Sequence, residues 1–211
     1  MLIEEVKGGF RAVSWTKLLD RGEVSLLSLA AEDVDGDGTD EVLFHAETYL
    51  GWNRGRYQLA VLEVEPPRLR VAFQGGSALP AVVADLDGEA AEEIALFWPK
   101  TLNLNAEWRP MWLDVHRLRG GRWEVSNQAF PELYDEVVAD FEQAEKQAPQ
   151  DEKVLDYLGR AYAIVGEKEK ALGAWSRAAR GYRRLWRRTQ SASWRRALDE
   201  MAQLREELGA S

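Results

Sequence analysis

The chain has 211 residues, of which 45% are hydrophobic and 30% charged, with nine Trp, no Cys and a formal net charge of −9. This length is sufficient for a buried core and for two small domains. The absence of Cys excludes disulfide scaffolds, cysteine-ligated zinc sites, thiol nucleophiles and thiolate-held iron–sulfur clusters. The two histidines, His45 and His116, leave little material for a metalloprotease or a Ser-His-Asp hydrolase. We therefore expect a protein that is not an enzyme.

The sequence contains no segment that predicts membrane insertion. No run of about 18 apolar residues occurs, which is the length that a spanning helix needs. The first seven residues include two acids where a secretory signal would be basic, and no long apolar segment follows them. We expect no membrane span and no export signal in this sequence. If it is the trimmed mature part of a longer chain, we expect an extracytoplasmic location.

The first part of the chain contains an internal repeat. The segment DVDGDGTDEVLF at 33–44 aligns without a gap on DLDGEAAEEIAL at 85–96. Each copy lies between two apolar runs and is followed by two more, which Pro-Pro at 66–67 or Gly-Gly at 120–121 separates. Such runs are typical of hairpins. Each unit is therefore predicted to form four antiparallel strands, and residues 8–15 resemble the last strand of a further unit.

The predicted fold class is α+β and multidomain. Four-stranded units of about 50 residues are typical of β-propellers, which close with four to eight of them. Two units cannot close a ring, so we expect two small sheets, packed face to face or side by side, with open edges. The predicted domains are an antiparallel β domain of two propeller-blade-like units over residues 1–128, and a helical domain over residues 129–211.

Alternating carboxylates in the first repeat predict a cation site. Asp33, Asp35 and Asp37 can converge on one point because intervening glycines let the backbone turn. Such a cluster of hard oxygens suits Ca²⁺, with its flexible coordination, better than Mg²⁺, which demands an octahedron. Glu41 can add a carboxylate and Thr39 a backbone carbonyl. We expect one good calcium site here, with a structural rather than a catalytic role.

The same motif identifies a family resemblance. An EF-hand loop also begins Asp-x-Asp-x-Asp-Gly, but its twelfth residue is a bidentate Glu, and that position here is Phe44. The pattern Asp-x-Asp-Gly-Asp-Gly-x-x-Glu before an apolar strand closely resembles the FG-GAP or VCBS-type repeat. This is the calcium-binding blade motif of integrin α-subunit propellers and of many bacterial surface proteins. The resemblance covers residues 9–128 and implies that Ca²⁺ clips two strands of one blade together.

The second loop departs from the family pattern. Glu89 stands where Asp is usual, and Ala90 replaces a glycine that is expected to take a left-handed conformation. We therefore expect a weak or decayed site. Its candidate ligands are Asp85, Asp87, Glu89 and Glu93. For both loops the alternative is an Asp-rich turn that holds no metal.

The second part of the chain predicts helices. After residue 128 the sequence is rich in Ala, Leu, Glu, Lys and Arg, with apolar residues three and four apart. Residues 155–178 resemble a tetratricopeptide repeat, with small residues such as Gly159 at the helix crossing and Trp175 between the helices. One repeat period earlier stand Phe141, Ala144 and Pro149. The resemblance implies a second repeat helix over 131–148, a full repeat over 151–182 and a capping helix over 193–208.

The end of the chain is basic although the protein is acidic. Residues 177–211 contain four acids and nine bases, and eight arginines lie between positions 177 and 196. Such a run can bind an anionic partner or pair with the acidic part of the chain. The candidate partner-binding residues are Arg183, Arg184, Trp186, Arg187 and Arg188. Nucleic acid is not the expected partner because the protein as a whole is acidic.

Together these patterns predict a non-enzymatic, calcium-stabilised module for protein binding or scaffolding. The partner is expected at the helices, at an exposed blade surface, or both, and self-association through open sheet edges is an alternative. Two other classes stay open. One is a carbohydrate-active or hydrolytic module that uses the Asp clusters as acid and base. The other is the binding of nucleic acid or another anionic polymer by the C-terminal arginines.

Overall fold

The computed structural model describes residues 2–6, 9–14, 23–49, 55–65, 68–89, 91–99 and 110–209, and strands precede helices along the chain. The described strands are β1 (Leu2–Val6), β2 (Gly9–Ser14), β3 (Glu23–Glu32), β4 (Glu41–Tyr49), β5 (Gly55–Glu65), β6 (Arg68–Ser77), β7 (Val82–Ala84), β8 (Glu93–Pro99), β9 (Met111–Arg119) and β10 (Arg122–Val125). The described α-helices are α1 (Tyr134–Gln147), α2 (Glu152–Ile164), α3 (Lys168–Thr189) and α4 (Ala192–Gly209).

Eight of the described strands form two four-stranded sheets, each with its strands in sequential order, and β1 and β2 form a separate two-stranded sheet. One contains β3, β4, β5 and β6, and the other β7, β8, β9 and β10, with antiparallel pairing of neighbours. The predicted α+β class, with two antiparallel sheets before the helices, is thus confirmed. At the N-terminus a single strand is predicted, but β1 pairs with β2 as a hairpin. Two adjacent glutamates interrupt the apolar alternation in β1, so the sequence pattern does not identify this strand.

One apolar core contains side chains from both four-stranded sheets. Its buried members are Val34, Leu43, Leu59, Val61, Phe73, Ile94 and Leu96. Phe73 on β6 contacts the rings of His116 and Trp123 edge to face, with centroid distances of 5.0 and 5.8 Å. The two sheets therefore stabilise each other by burying a common set of apolar side chains. The edge strand β3 leaves Leu26, Leu27 and Leu29 exposed.

Contacts within the chain divide it into two compact units. The β unit contains residues 1–98 and 114–126, and the helical unit contains residues 99–113 and 127–211. The helical unit thus includes the beginning of β9. There Trp112 contacts the rings of Tyr134 and Phe141 at centroid distances of 5.5 and 6.3 Å, and the Tyr134 hydroxyl donates to the carbonyl of Leu113 at 2.6 Å.

Helices α2 and α3 form an antiparallel hairpin. The Asp151 carboxylate accepts hydrogen bonds from the backbone N–H groups of residues 153 and 154, which caps α2. The Trp175 indole donates to the carbonyl of Asp156 at 3.1 Å, and the Tyr182 hydroxyl donates to the Asp156 carboxylate at 3.2 Å. At Gly159 an added Cβ would lie 2.5 Å from the Trp175 ring. Only glycine therefore lets the two helices approach this closely.

The helix boundaries differ from the predicted ones at two places. Residues Pro131–Leu133 form a short 3-10 turn, and α1 begins at Tyr134. Helix α3 continues to Thr189, well beyond the predicted end of the repeat at residue 182. The continuation is rich in arginine, which favours helix, and Gln190 ends it in the left-handed conformation with φ of 53°. Within the part of the chain that the structure describes, no helix has the length and apolar character to cross a membrane.

The close approach of α2 and α3 generates a stability prediction. We expect Gly159→Ala to destabilise the helical unit by about 1–3 kcal/mol, because the Trp175 ring must move. The control is Gly173→Ala at an exposed position of α3, where nothing lies within 4 Å of the added Cβ. It should stabilise by about 0.5–1 kcal/mol. Urea unfolding followed by far-ultraviolet circular dichroism measures both changes, and a Gly159→Ala protein as stable as wild type would contradict the packing.

A second prediction concerns pH and His116. Burial lowers the pKa of His116 below its ordinary value of 6.5, and the smaller effect of Asp114 opposes this. As the pH falls through 6.5, the unfolded chain therefore binds a proton that the folded chain does not, which lowers the free energy of unfolding. Between about pH 7.5 and about pH 5.5, wild type should lose more stability than His116→Phe. Equal losses in urea unfolding would show that His116 titrates alike in both states.

Candidate metal centre

The two Asp-rich loops occupy equivalent places in the two sheets. The first loop, residues 33–40, connects β3 to β4, and the second loop, residues 85–92, connects β7 to β8. Gly36 and Gly38 have φ values of 75° and 88°, and Gly88, which aligns with Gly36 in the repeat, has a φ of 79°. These left-handed values favour glycine. The predicted effect of Ala90 concerns a position outside the described residues.

A glutamate at the end of each loop is buried and holds the loop backbone. Glu41 is 4% exposed and its Oε2 accepts a hydrogen bond from the Val34 N–H at 3.0 Å. Glu93 is 1% exposed and its Oε2 accepts from the Leu86 N–H at 2.9 Å. Burial is the main cause that raises the pKa of both carboxyls. The two loops therefore repeat each other in their hydrogen bonds as well as in their sequence.

The aspartates of the first loop converge. One carboxylate oxygen from each of Asp33, Asp35 and Asp37 lies within 4.8 Å of the others. The backbone N–H of Asp37 donates to Asp35 at 3.0 Å, and that of Thr39 donates to Asp37 at 2.7 Å. These hydrogen bonds hold the carboxylates in place but supply no positive charge. Burial raises the pKa of Asp35, and the neighbouring charges of Asp37, Asp33 and Glu63 raise it further.

Two buried oxygens near the loops lack a hydrogen-bond partner among the described residues. They are Asp33 Oδ1 in the first loop and Glu92 Oε2 in the second. Burial raises the pKa of Glu92, followed by the charges of Glu32, Asp85 and Asp33. A buried oxygen without a donor is costly, and a bound cation removes this cost for carboxylates. Glu92 is not among the predicted ligands, although this residue aligns with Asp40 of the first repeat.

The second loop contains a positively charged side chain of its own. Asp85, Asp87 and Glu93 each place a carboxylate oxygen within 4.8 Å of the others. Arg117 on β9 forms ion pairs with Asp87 at 2.5 Å, with Glu93 at 3.5 Å and with Glu89. The second site was predicted to be weak because of Glu89 and Ala90, and Arg117 was not among the predicted site residues. The sequence could have identified Arg117, because this residue precedes the Gly-Gly turn of its hairpin by the same number of residues as Glu63 precedes Pro66.

A second group of charges lies in the helical unit. A cavity of about 380 Å³ is lined by Gln150, Leu155, Arg177, Arg180, Arg183, Arg184 and Arg187. Three of the predicted partner-binding residues line this cavity, whereas Arg188 and Trp186 do not. Arg177 and Arg180 belong to the predicted basic run but not to the predicted partner-binding residues, although their spacing places them on the same helix face.

The arginines of this cavity differ in their partners. Arg177 pairs with Glu145 and donates to the carbonyl of Pro149 at 2.9 Å. Arg180, Arg183, Arg184 and Arg187 are exposed, and the described ion pairs include none of these four. We define these four residues as the arginine patch. A surface with this much positive charge favours an anionic partner.

Comparison with known proteins identifies no relative of this chain. No protein-family model, no curated protein and no solved structure matches this chain.

Proposed function

We propose that this protein is a calcium-stabilised module that binds an acidic segment of a protein partner. In this proposal the β unit consists of two FG-GAP or VCBS-type repeats, and the helical unit contains a tetratricopeptide-like repeat. The observations that carry the proposal lie in the first loop, where carboxylate oxygens of Asp33, Asp35 and Asp37 converge, and where Asp33 has a buried oxygen without a donor among the described residues. A bound cation would reduce the repulsion between these acids, and the described ion pairs include none of the three.

Calcium fits the first loop for chemical reasons. The donors are carboxylates, which suit a hard cation, and the loop is short and irregular, which suits the variable geometry of about 6–8 oxygen ligands around Ca²⁺. Asp33, Asp35 and Asp37 would bind through their side chains, with Glu41 and the Thr39 carbonyl as further ligands. When bound, the cation supplies charge neutralisation. Its proposed role is to hold the first loop between β3 and β4, without a part in catalysis.

The arginine patch supports an acidic protein segment as the partner. A guanidinium group binds a carboxylate through two parallel hydrogen bonds, so neighbouring arginines suit a run of Asp or Glu. The cavity beside the patch is lined by arginines, Gln150 and Leu155, and Leu155 is only 2% exposed, so the surface offered to the segment is mainly charged. Nucleic acid is the second candidate. Among the described residues that line this cavity none is aromatic, whereas base stacking is a principal contribution to single-strand binding.

Calcium titration of chelator-treated protein tests the metal site. We expect one equivalent of Ca²⁺ to bind and to raise the melting temperature, because only the folded chain holds the ligands together. Asp35→Asn should abolish both effects. Without calcium, the same variant should melt above wild type, because it removes one of the mutually repelling charges.

The matched control for this titration is Asp40→Asn, which changes an exposed acid of the same loop. It should retain calcium binding. Calorimetry measures the binding, and differential scanning fluorimetry with Ca²⁺, Mg²⁺ or chelator measures the melting temperature. If wild type neither binds Ca²⁺ nor gains stability from it, the loop is a metal-free turn and the proposal is wrong.

A fluorescent peptide of about ten residues, made of Glu with flanking Gly, tests the arginine patch. We expect binding that weakens with salt, and a loss of affinity of at least about tenfold in Arg180→Gln with Arg184→Gln, because charge-assisted hydrogen bonds are lost. Arg188→Gln with Arg196→Gln is the control, since it removes the same two charges from exposed arginines that do not line the cavity. Fluorescence anisotropy measures the affinities. Tighter binding of a single-stranded oligonucleotide of equal length would favour the nucleic-acid alternative.

A further inference from the structure

The two sheets carry reversed charges at one equivalent pair of positions. In the hairpin of β5 and β6, Glu63 lies opposite Arg70. In the hairpin of β9 and β10, Arg117 lies opposite Glu124. The members of each pair occupy the same places relative to the turn of their hairpin. The repeat therefore preserves the backbone arrangement while it exchanges acid for base on both strands.

In the first sheet, this exchange leaves the loop without a cation among the described residues. Glu63 forms an ion pair with Arg70, as does Glu65 at 3.2 Å. The arginine is thus engaged by acids on the neighbouring strand. At this position the first sheet therefore has an acid where the second sheet has a base.

In the second sheet, the exchanged arginine enters the loop. Arg117 contacts carboxylates at 87, 89 and 93, which come from both the loop and the start of β8. The guanidinium stays protonated at any physiological pH and donates several hydrogen bonds in one plane. Its positive charge therefore neutralises part of the negative charge of these acids without an ion from solution.

We propose that Arg117 is a resident cation that replaces the divalent ion in the second loop. The β unit then has one loop that depends on external calcium and one that does not. For a metal ion to enter the second loop, it would have to displace the guanidinium from three acids, one of which is almost fully buried. The half of this inference that concerns the first loop rests on the proposed function, whereas the half that concerns the second loop stands on the Arg117 contacts.

Because the two charge pairs occupy equivalent positions, substitutions can give each sheet the charges of the other. Arg117→Glu with Glu124→Arg gives the second sheet the charges of the first, and calorimetry should then detect two calcium equivalents instead of one. Glu63→Arg with Arg70→Glu gives the first sheet the charges of the second. That variant should lose calcium binding, and its melting temperature should no longer depend on calcium. Arg119→Gln, an exposed residue of the same strand β9, should leave one equivalent.

The outcomes separate this inference from the proposed function. One equivalent in the Arg117→Glu, Glu124→Arg protein, with its far-ultraviolet circular dichroism unchanged, would overturn the resident-cation role, as would two equivalents in wild type. If wild type binds none but the exchanged second sheet binds one, the proposed function fails and the role of Arg117 holds. Should that variant fail to fold without calcium, rescue of its folding by Ca²⁺ but not by NaCl supports the inference, and no rescue contradicts it.

The Glu63→Arg, Arg70→Glu protein is a separate test, since calcium binding retained at wild-type affinity would overturn the inference.

Discussion

Repulsion between carboxylates at the ends of two hairpins is the constraint on which the β unit depends. Each loop places three acidic oxygens within 4.8 Å of one another and ends in a glutamate that is at most 4% exposed. At such distances like charges destabilise the folded state unless a positive charge lies among them. The acids cannot simply move apart, because Glu41 and Glu93 hold the loop backbone through hydrogen bonds to Val34 and Leu86. A positive charge among these acids would therefore stabilise the loops in the positions that the hydrogen bonds impose.

The position of the loops couples the repulsion between their acids to the packing of both sheets. Val34 belongs to the first loop, yet it is fully buried in the core that the two sheets share. Its carbonyl accepts a hydrogen bond from the Glu92 N–H at 2.9 Å, which links the first loop to the second. A loop that opened to separate its acids would have to withdraw Val34 from the core and break this link. The electrostatics of each loop and the packing of the sheets are thus coupled through one residue.

The sequence predicts the parts of this arrangement that are local. Ligand spacing, the glycines and the flanking apolar runs all lie within one segment, and the loops with their strands follow from them. Arg117 acts from another strand, and its place beside the loop depends on strand pairing. The segment between the Asp-rich loop and the following hairpin is slightly longer in the second sequence repeat. A gapless alignment of the two repeats therefore does not place Arg117 over Glu63. In the helical unit, the small residues predicted the close crossing at Gly159, whereas the length of α3 depended on arginines that the repeat pattern does not include.

Helix α3 combines two roles because its faces differ. Its buried residues are mainly small, including Ala171, Ala174, Ala178 and Ala179, so α3 can pack closely and leave the larger Trp175 and Tyr182 for the contacts with Asp156. The Tyr182 hydroxyl donates to the buried Asp156 carboxyl, with which Arg160 also pairs at 3.1 Å, whereas the Trp175 indole donates to the Asp156 backbone carbonyl. The described ion pairs of the helical unit do not include the arginine patch. The face of α3 that packs on α2 is therefore mainly apolar, whereas the patch gives α3 an exposed positive face.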